Sequence, residues 1–116
     1  MLLSDADLLK HIEEETRFIL NNTTHELLEN ILKDEILNRA IIRSLEIIGE
    51  ASKKLSSEFK SAHPKIEWKK MAATRDKLIH DYFGIDYEIM WDIIQNKLPE
   101  LNKEVSNILN SEGLTL

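Results

Sequence analysis

Only five residues of this chain, three glycines and two prolines among 116, can interrupt regular backbone cheaply. Sheets built of many short strands need frequent turns, and turns draw on glycine and proline. A chain so poor in both is held to long elements with few connections. The apolar residues agree, since they recur at the three- and four-residue spacing of a helix. Leu9, Ile12, Thr16, Ile19 and Leu20 make one stripe, and Ile41, Leu45, Ile48 and Leu55 another. Trp91, Ile94, Leu98, Leu101, Val105 and Ile108 make a third, which continues across Pro99. β-Branched residues do not alternate, so no strand is expected. The fold class expected is all-α, an antiparallel bundle of four or five helices.

Local signals place the helix ends. Ser4, followed by Asp5 and Asp7, opens the first helix. Asn21 and Asn22 mark its break, and Thr23 with Glu26 reads as a capping box for the next helix. That second helical region runs to about Ser57 and can break near Lys33 and Asp34. Residues 56–65 read as a polar connector. A third helix is expected from about Ile66 to His80, closed by Gly84 as a left-handed stop. Asp86 can cap a fourth, and Pro99 either kinks it or opens a fifth. Residues from 111 onward read as a frayed tail.

The chain is expected to be a single domain, 1–116, with a modest core. Cysteine is absent, which excludes disulfides and thiolate metal sites. No apolar run approaches the ~18 residues that span a bilayer. The N-terminus lacks a basic stretch, so a cytoplasmic location is expected. The formal net charge of -6 argues against coating nucleic acid through bulk electrostatics. Contact with RNA would need a local basic cleft.

Chemistry enters in the third helix. Trp68, Met71 and Ala72 start an apolar stripe that leads through position 75 to Ile79, so Arg75 is predicted to face inward. A buried guanidinium is costly unless paired or poised for an anion. Arg75 therefore either serves an anion, pairs with Glu46 or Glu50, or snorkels to solvent. Arg39, Arg43, Glu46 and Glu50 share a face of the second helix, as an ion-paired solvated surface or as a cleft wall. His80 follows Arg75 by five residues at the helix end, about 140° around it. It is a surface residue or a proton carrier beside Arg75. Tyr82 adds a phenol in the following turn. A di-metal carboxylate bundle, the main alternative enzyme, is disfavoured, because none of His11, His25, His63 or His80 has a glutamate three residues before it. No metal or other cofactor is expected.

Arg75-Asp-Lys-Leu-Ile-His80-Asp-Tyr82 resembles the Arg-x4-His-x-Tyr signature of the HepT-like HEPN proteins. The likeness extends over Arg39–Ala51, Ile66–Arg75 and Asp81–Asp86, and through Trp91 and Leu98-Pro99. One departure is Asp76, where many members have asparagine. A carboxylate there either holds Arg75 or His80 or weakens anion binding. The resemblance implies a homodimeric ribonuclease toxin that needs no metal, with Arg75 and His80 catalytic at the dimer cleft. Asp76, Glu46, Glu50 and Arg43 are the supporting candidates. It also implies a partner, a minimal nucleotidyltransferase antitoxin of the MntA type, which transfers AMP onto Tyr82. The alternative is a non-catalytic helical dimer that binds a nucleotide or that partner.

Overall fold

The first helix starts where Ser4 places it. In a computed structural model that describes residues 3–81 and 84–112, Ser4 caps α1 (Asp5–Thr23). Its hydroxyl accepts from the Asp7 backbone N–H at 3.1 Å and donates to the Asp7 carboxylate at 2.9 Å. Hydrogen bonds from the Ser4 hydroxyl and then its N–H hold the Asp7 carboxyl below its ordinary value. The helix runs on through Asn21 and Asn22, contrary to the expected break. Thr23 is its last residue and caps nothing: its hydroxyl donates back to the Ile19 carbonyl at 2.8 Å. A short α2 (Leu28–Lys33) begins without a side-chain cap. Asp34 then ends it and caps α3 (Glu35–Lys54), accepting from the Leu37 N–H at 3.0 Å.

Ser56 ties the start of α1 to the end of α3. Its N–H and hydroxyl donate to the Asp5 carboxylate at 2.9 and 2.7 Å, so the two long helices lie antiparallel. The same hydroxyl accepts from the Phe59 N–H and caps α4 (Ser57–Ala62). The expected connector is thus partly helical. Trp68 anchors it: its indole donates to the His63 carbonyl at 3.0 Å, and Phe59 meets it edge-on.

The third expected helix is two short ones. α5 (Trp68–Ala72) stops at Ala73, whose φ of -85° and ψ of 0° leave the helical region, and α6 (Thr74–Leu78) comes next. A small antiparallel ladder then pairs β1 (Ile79–Asp81) with β2 (Gly84–Ile85). It is a local exception in an all-α fold. Gly84 sits in this ladder and not in a left-handed helix stop. Asp86 caps α7 (Tyr87–Asn96) through the Ile89 N–H at 3.0 Å. Lys97 separates α7 from α8 (Leu98–Ser111), and Pro99 lies in the first turn of α8. Its missing N–H has no helical partner there, so it opens a helix instead of kinking one. α8 includes Ser111, the expected start of the tail, and residues 113–116 lie outside the described ones.

The four helices of ten residues or more, α1, α3, α7 and α8, make the bundle. α1 packs on α3 and α8, and α7 on α8. Leu9, Ile12, Ile19, Ile41, Leu45, Ile48, Leu98 and Val105 are fully buried between them, as the stripes require. α5 packs on α3 and carries α6 across that helix. No helix among the described residues is long and apolar enough to cross a membrane.

Candidate active site

Arg75 does not point into the core. Its side chain is 56% exposed, which corrects the inward position expected from periodicity. The buried positions of α5 and α6 are Trp68, Met71, Thr74 and Leu78, another set at helical spacing. Thr74 takes the inward place because its hydroxyl is satisfied locally, donating to the Lys70 carbonyl at 3.4 Å. That turns Arg75 to the flank of α6, against α3.

On α3 it meets Glu46. The Arg75 Nε lies 3.5 Å from Glu46 Oε2, and Arg43 reaches the same oxygen at 4.0 Å. Neither distance is that of a tight charge-assisted bond, about 2.7–2.9 Å. A half-exposed pair of this kind contributes at most about 1 kcal/mol of stability. Its effect is on direction: one carboxylate draws two guanidinium groups to the same side of α3 and leaves both with donors to spare.

α5 and the start of α6 pass close to α3 at Gly49. A side chain there would meet the Met71 carbonyl at 3.4 Å, the Ala72 carbonyl at 3.5 Å and the Arg75 backbone nitrogen at 4.0 Å. The glycine lets backbone pack on backbone just where the chain enters α6. Glu46 sits one turn earlier on α3, so it faces the same stretch of chain that carries Arg75.

The two arginines rim a groove of about 550 Å³ between α1 and α3. Leu3, Leu8, Ile47 and Ala51 form its walls, and His11, Glu50 and Lys54 complete the rim. Lys54 also pairs with Glu50 at 3.7 Å. The cations Arg43, Lys54 and Arg75 outnumber the carboxylates Glu46 and Glu50. An acidic chain thus has a local surplus of positive charge around a slot with apolar walls. Such a slot suits an anion attached to a flat apolar group, as in a nucleotide.

Of the residues singled out from sequence, the structure brings Arg43, Glu46, Glu50 and Arg75 to one groove. It leaves Arg39 out: that residue pairs with Glu35 and lines a second depression with Tyr87. Asp76 is exposed and forms no ion pair with any described residue, so it does not hold Arg75. His80 lies in β1, because α6 ends at Leu78, and the 140° helical offset from Arg75 does not apply. Its side chain and all of Tyr82 lie outside the described residues. Sequence reasoning missed His11 and Lys54 as groove residues. The signals were slight: His11 lies at the edge of the α1 stripe, and Lys54 one turn beyond Glu50. Among the described residues no three carboxylate or imidazole groups gather as a metal site.

The profile of the Ribonuclease HepT-like family matches residues 9–108. The chain belongs to this family. Among HepT-like relatives, a protein of Caldanaerobacter subterraneus subsp. tengcongensis named "Putative RNase" is 48% identical over 104 residues, covering 90% of this chain and 93% of its own. The "Probable ribonuclease HepT" of Thermococcus cleftensis is 44% identical, covering 87% and 92%. In Methanocaldococcus jannaschii a chain named for both gamma-glutamylcyclotransferase and RNase is 37% identical, and the match covers 46% of it. No solved structure matches the chain.

Proposed function

We propose that this HepT-like chain is an endoribonuclease that needs no metal and works as a homodimer, the toxin of a toxin–antitoxin pair. The observation that carries the reading is the groove rimmed by Arg75, Arg43 and Lys54, with Arg75 beginning the Arg-x4-His-x-Tyr motif. Arg75 would bind the scissile phosphate and stabilise the charge that develops on its oxygens. His80 would take the proton from the ribose 2′-hydroxyl. The 2′ oxygen then attacks phosphorus, and the bond from phosphorus to the 5′ oxygen breaks. The His80 of a second copy would give that oxygen its proton. The products are a 2′,3′-cyclic phosphate and a 5′-hydroxyl.

The case for a dimer rests on the exposed strip of α3. Ile36, Arg43, Ile47, Glu50 and Lys54 recur on one side of that helix, so the strip leads from an exposed apolar residue into the groove. Among the described residues, three of the five exposed large hydrophobics, Leu27, Leu32 and Ile36, fall between residues 27 and 36. A second copy on the α3 strip would cover Ile36 and bring a second Arg75 to the cleft.

Purified protein is expected to cut single-stranded RNA in the presence of a chelator, leaving cyclic phosphate ends, and to spare DNA. Cleavage that required a divalent ion, or 3′-hydroxyl products, would overturn the mechanism. Control would act through Tyr82, two residues beyond His80. AMP on that phenol adds bulk and negative charge, which compete with RNA phosphate for Arg75. Co-expression with a minimal nucleotidyltransferase should add one or more AMP masses, mapped by peptide mass spectrometry to Tyr82. Neutralised toxicity with Tyr82 unmodified would point to masking instead.

A further inference from the structure

The positive charge of this chain is concentrated in one segment. Residues 53–80 hold eight lysines and arginines against three acids, a net of +5 in a protein whose total is -6. This segment is the end of α3 with α4, α5, α6 and the start of β1, and α6 carries Arg75. Part of the surplus rims the groove already described. Of the others, Lys77 lies on the opposite flank of α6 and acts with Lys70 on Glu67. Thr74 and Leu78 are buried, and Arg75 and Lys77 are separated by about 200° around the helix, so they flank the buried side left and right.

On the Lys77 flank, lysines from three different elements converge on one carboxylate. Lys70 of α5 reaches Glu67 at 2.6 Å, and Lys97, between α7 and α8, reaches its other oxygen at 3.8 Å. Lys77 of α6 is close enough to act on the same group. The hydrogen bond from Lys70, and then the charges of Lys70, Lys97 and Lys77, hold the Glu67 carboxyl below its ordinary value. Lys77 has no carboxylate partner among the described residues, and three ammonium groups around one carboxylate leave two positive charges uncompensated. All of these side chains are exposed or half-exposed. Stability does not require such an arrangement, because surface pairs contribute little and like charges repel. It does suit a polyanion laid across the surface.

We propose that Lys70, Lys77 and Lys97 form a second phosphate subsite, which holds the RNA backbone on the far side of α6 from Arg75. The inference rests on the ribonuclease reading for the identity of the polyanion. A strand that places one phosphate at Arg75 would cross α6 and set a later phosphate against Lys77 and Lys97. Glu67 holds the lysines in place without cancelling them. The substrate is then an RNA extended well beyond the cut bond, bound through its backbone and not through its bases.

The test is a salt titration of binding. A single-stranded 2′-O-methyl RNA of about 12 nucleotides cannot be cut by attack of the 2′ oxygen and reports binding alone. Fluorescence anisotropy is measured against salt for the intact chain, for Lys77→Gln/Lys97→Gln, and for the control Lys33→Gln/Lys103→Gln. Both variants lose the same net charge. The first should flatten the slope of log affinity against log salt by about 1.4, since each lost single-strand phosphate contact removes about 0.7. The control should keep the slope of the intact chain. Equal slopes in the two variants would overturn the subsite. Failure of the catalytic reading looks different: the RNA would bind through Lys77 and Lys97, yet unmodified RNA would never be cut.

Discussion

Arg75→Ala is expected to lower the rate of RNA cleavage by about 10²–10³-fold, the usual cost of removing a donor from a developing oxyanion. The fold should be untouched, because the side chain is mostly exposed and its contact with Glu46 is long. Arg75→Lys should recover little. Lysine keeps the charge but not the planar fork, and a point charge beside Glu46 would pair with it in place of the phosphate. His80→Ala should lose about as much or more, and the double variant should be no worse than the poorer single one, as for groups acting on one transition state. Gly49→Leu offers a second route to the same loss without touching either residue. It would push α5 and α6 away from α3 at the point where the Met71 carbonyl passes. Single-turnover cleavage alongside circular dichroism checks all of these. A folded Arg75→Ala protein with undiminished cleavage would remove Arg75 from the chemistry.

How far the sequence discloses this site depends on the range of each signal. Ser4 and Asp86 announce helix starts correctly, because each acts through its own side chain on the next few residues; Lys33-Asp34 marks only a possible break and Pro99 leaves a kink or a start open, and α3 and α8 start there. Thr23 fails as a cap because the Ile19 carbonyl, one turn back, competes for its hydroxyl. The break at Ala73 has no comparable local marker. Periodicity alone cannot choose between a stripe ending at Arg75 and Ile79 and one through Thr74 and Leu78. The choice lies in the packing of α5 and α6 on α3, a contact between segments distant in the chain. Arg75 is thus conspicuous in the sequence for a reason the fold overturns. It is not a charge forced into the core but one turned onto a groove. Glu46 is legible as a partner because the option to pair is visible in charge and spacing. His11 and Lys54 are not, since only the antiparallel docking of α1 on α3 brings them to one rim.

If two copies meet across the exposed strip of α3, Ile36→Glu should separate them and silence the enzyme without unfolding it. Ile36 is 84% exposed, and it lies in the first turn of α3, where a carboxylate is favoured by the helix dipole. The monomer therefore loses nothing in folding. In a two-fold interface the loss occurs twice. Burial of each isoleucine contributes about 1.5–3 kcal/mol, so removing both weakens association by roughly 10²–10⁴-fold. Two new carboxylates facing each other across the axis add to that. Sedimentation should show the variant as a monomer at concentrations where the parent is a dimer. Cleavage should fall with it, because a lone subunit has one His80 for two proton transfers. In the parent, activity per chain should drop on dilution through the dimer dissociation constant. A variant that stays dimeric would place the interface elsewhere. A monomeric variant that cleaves at full rate would show that one chain holds both proton carriers, with His11 at the groove rim the residue to replace next.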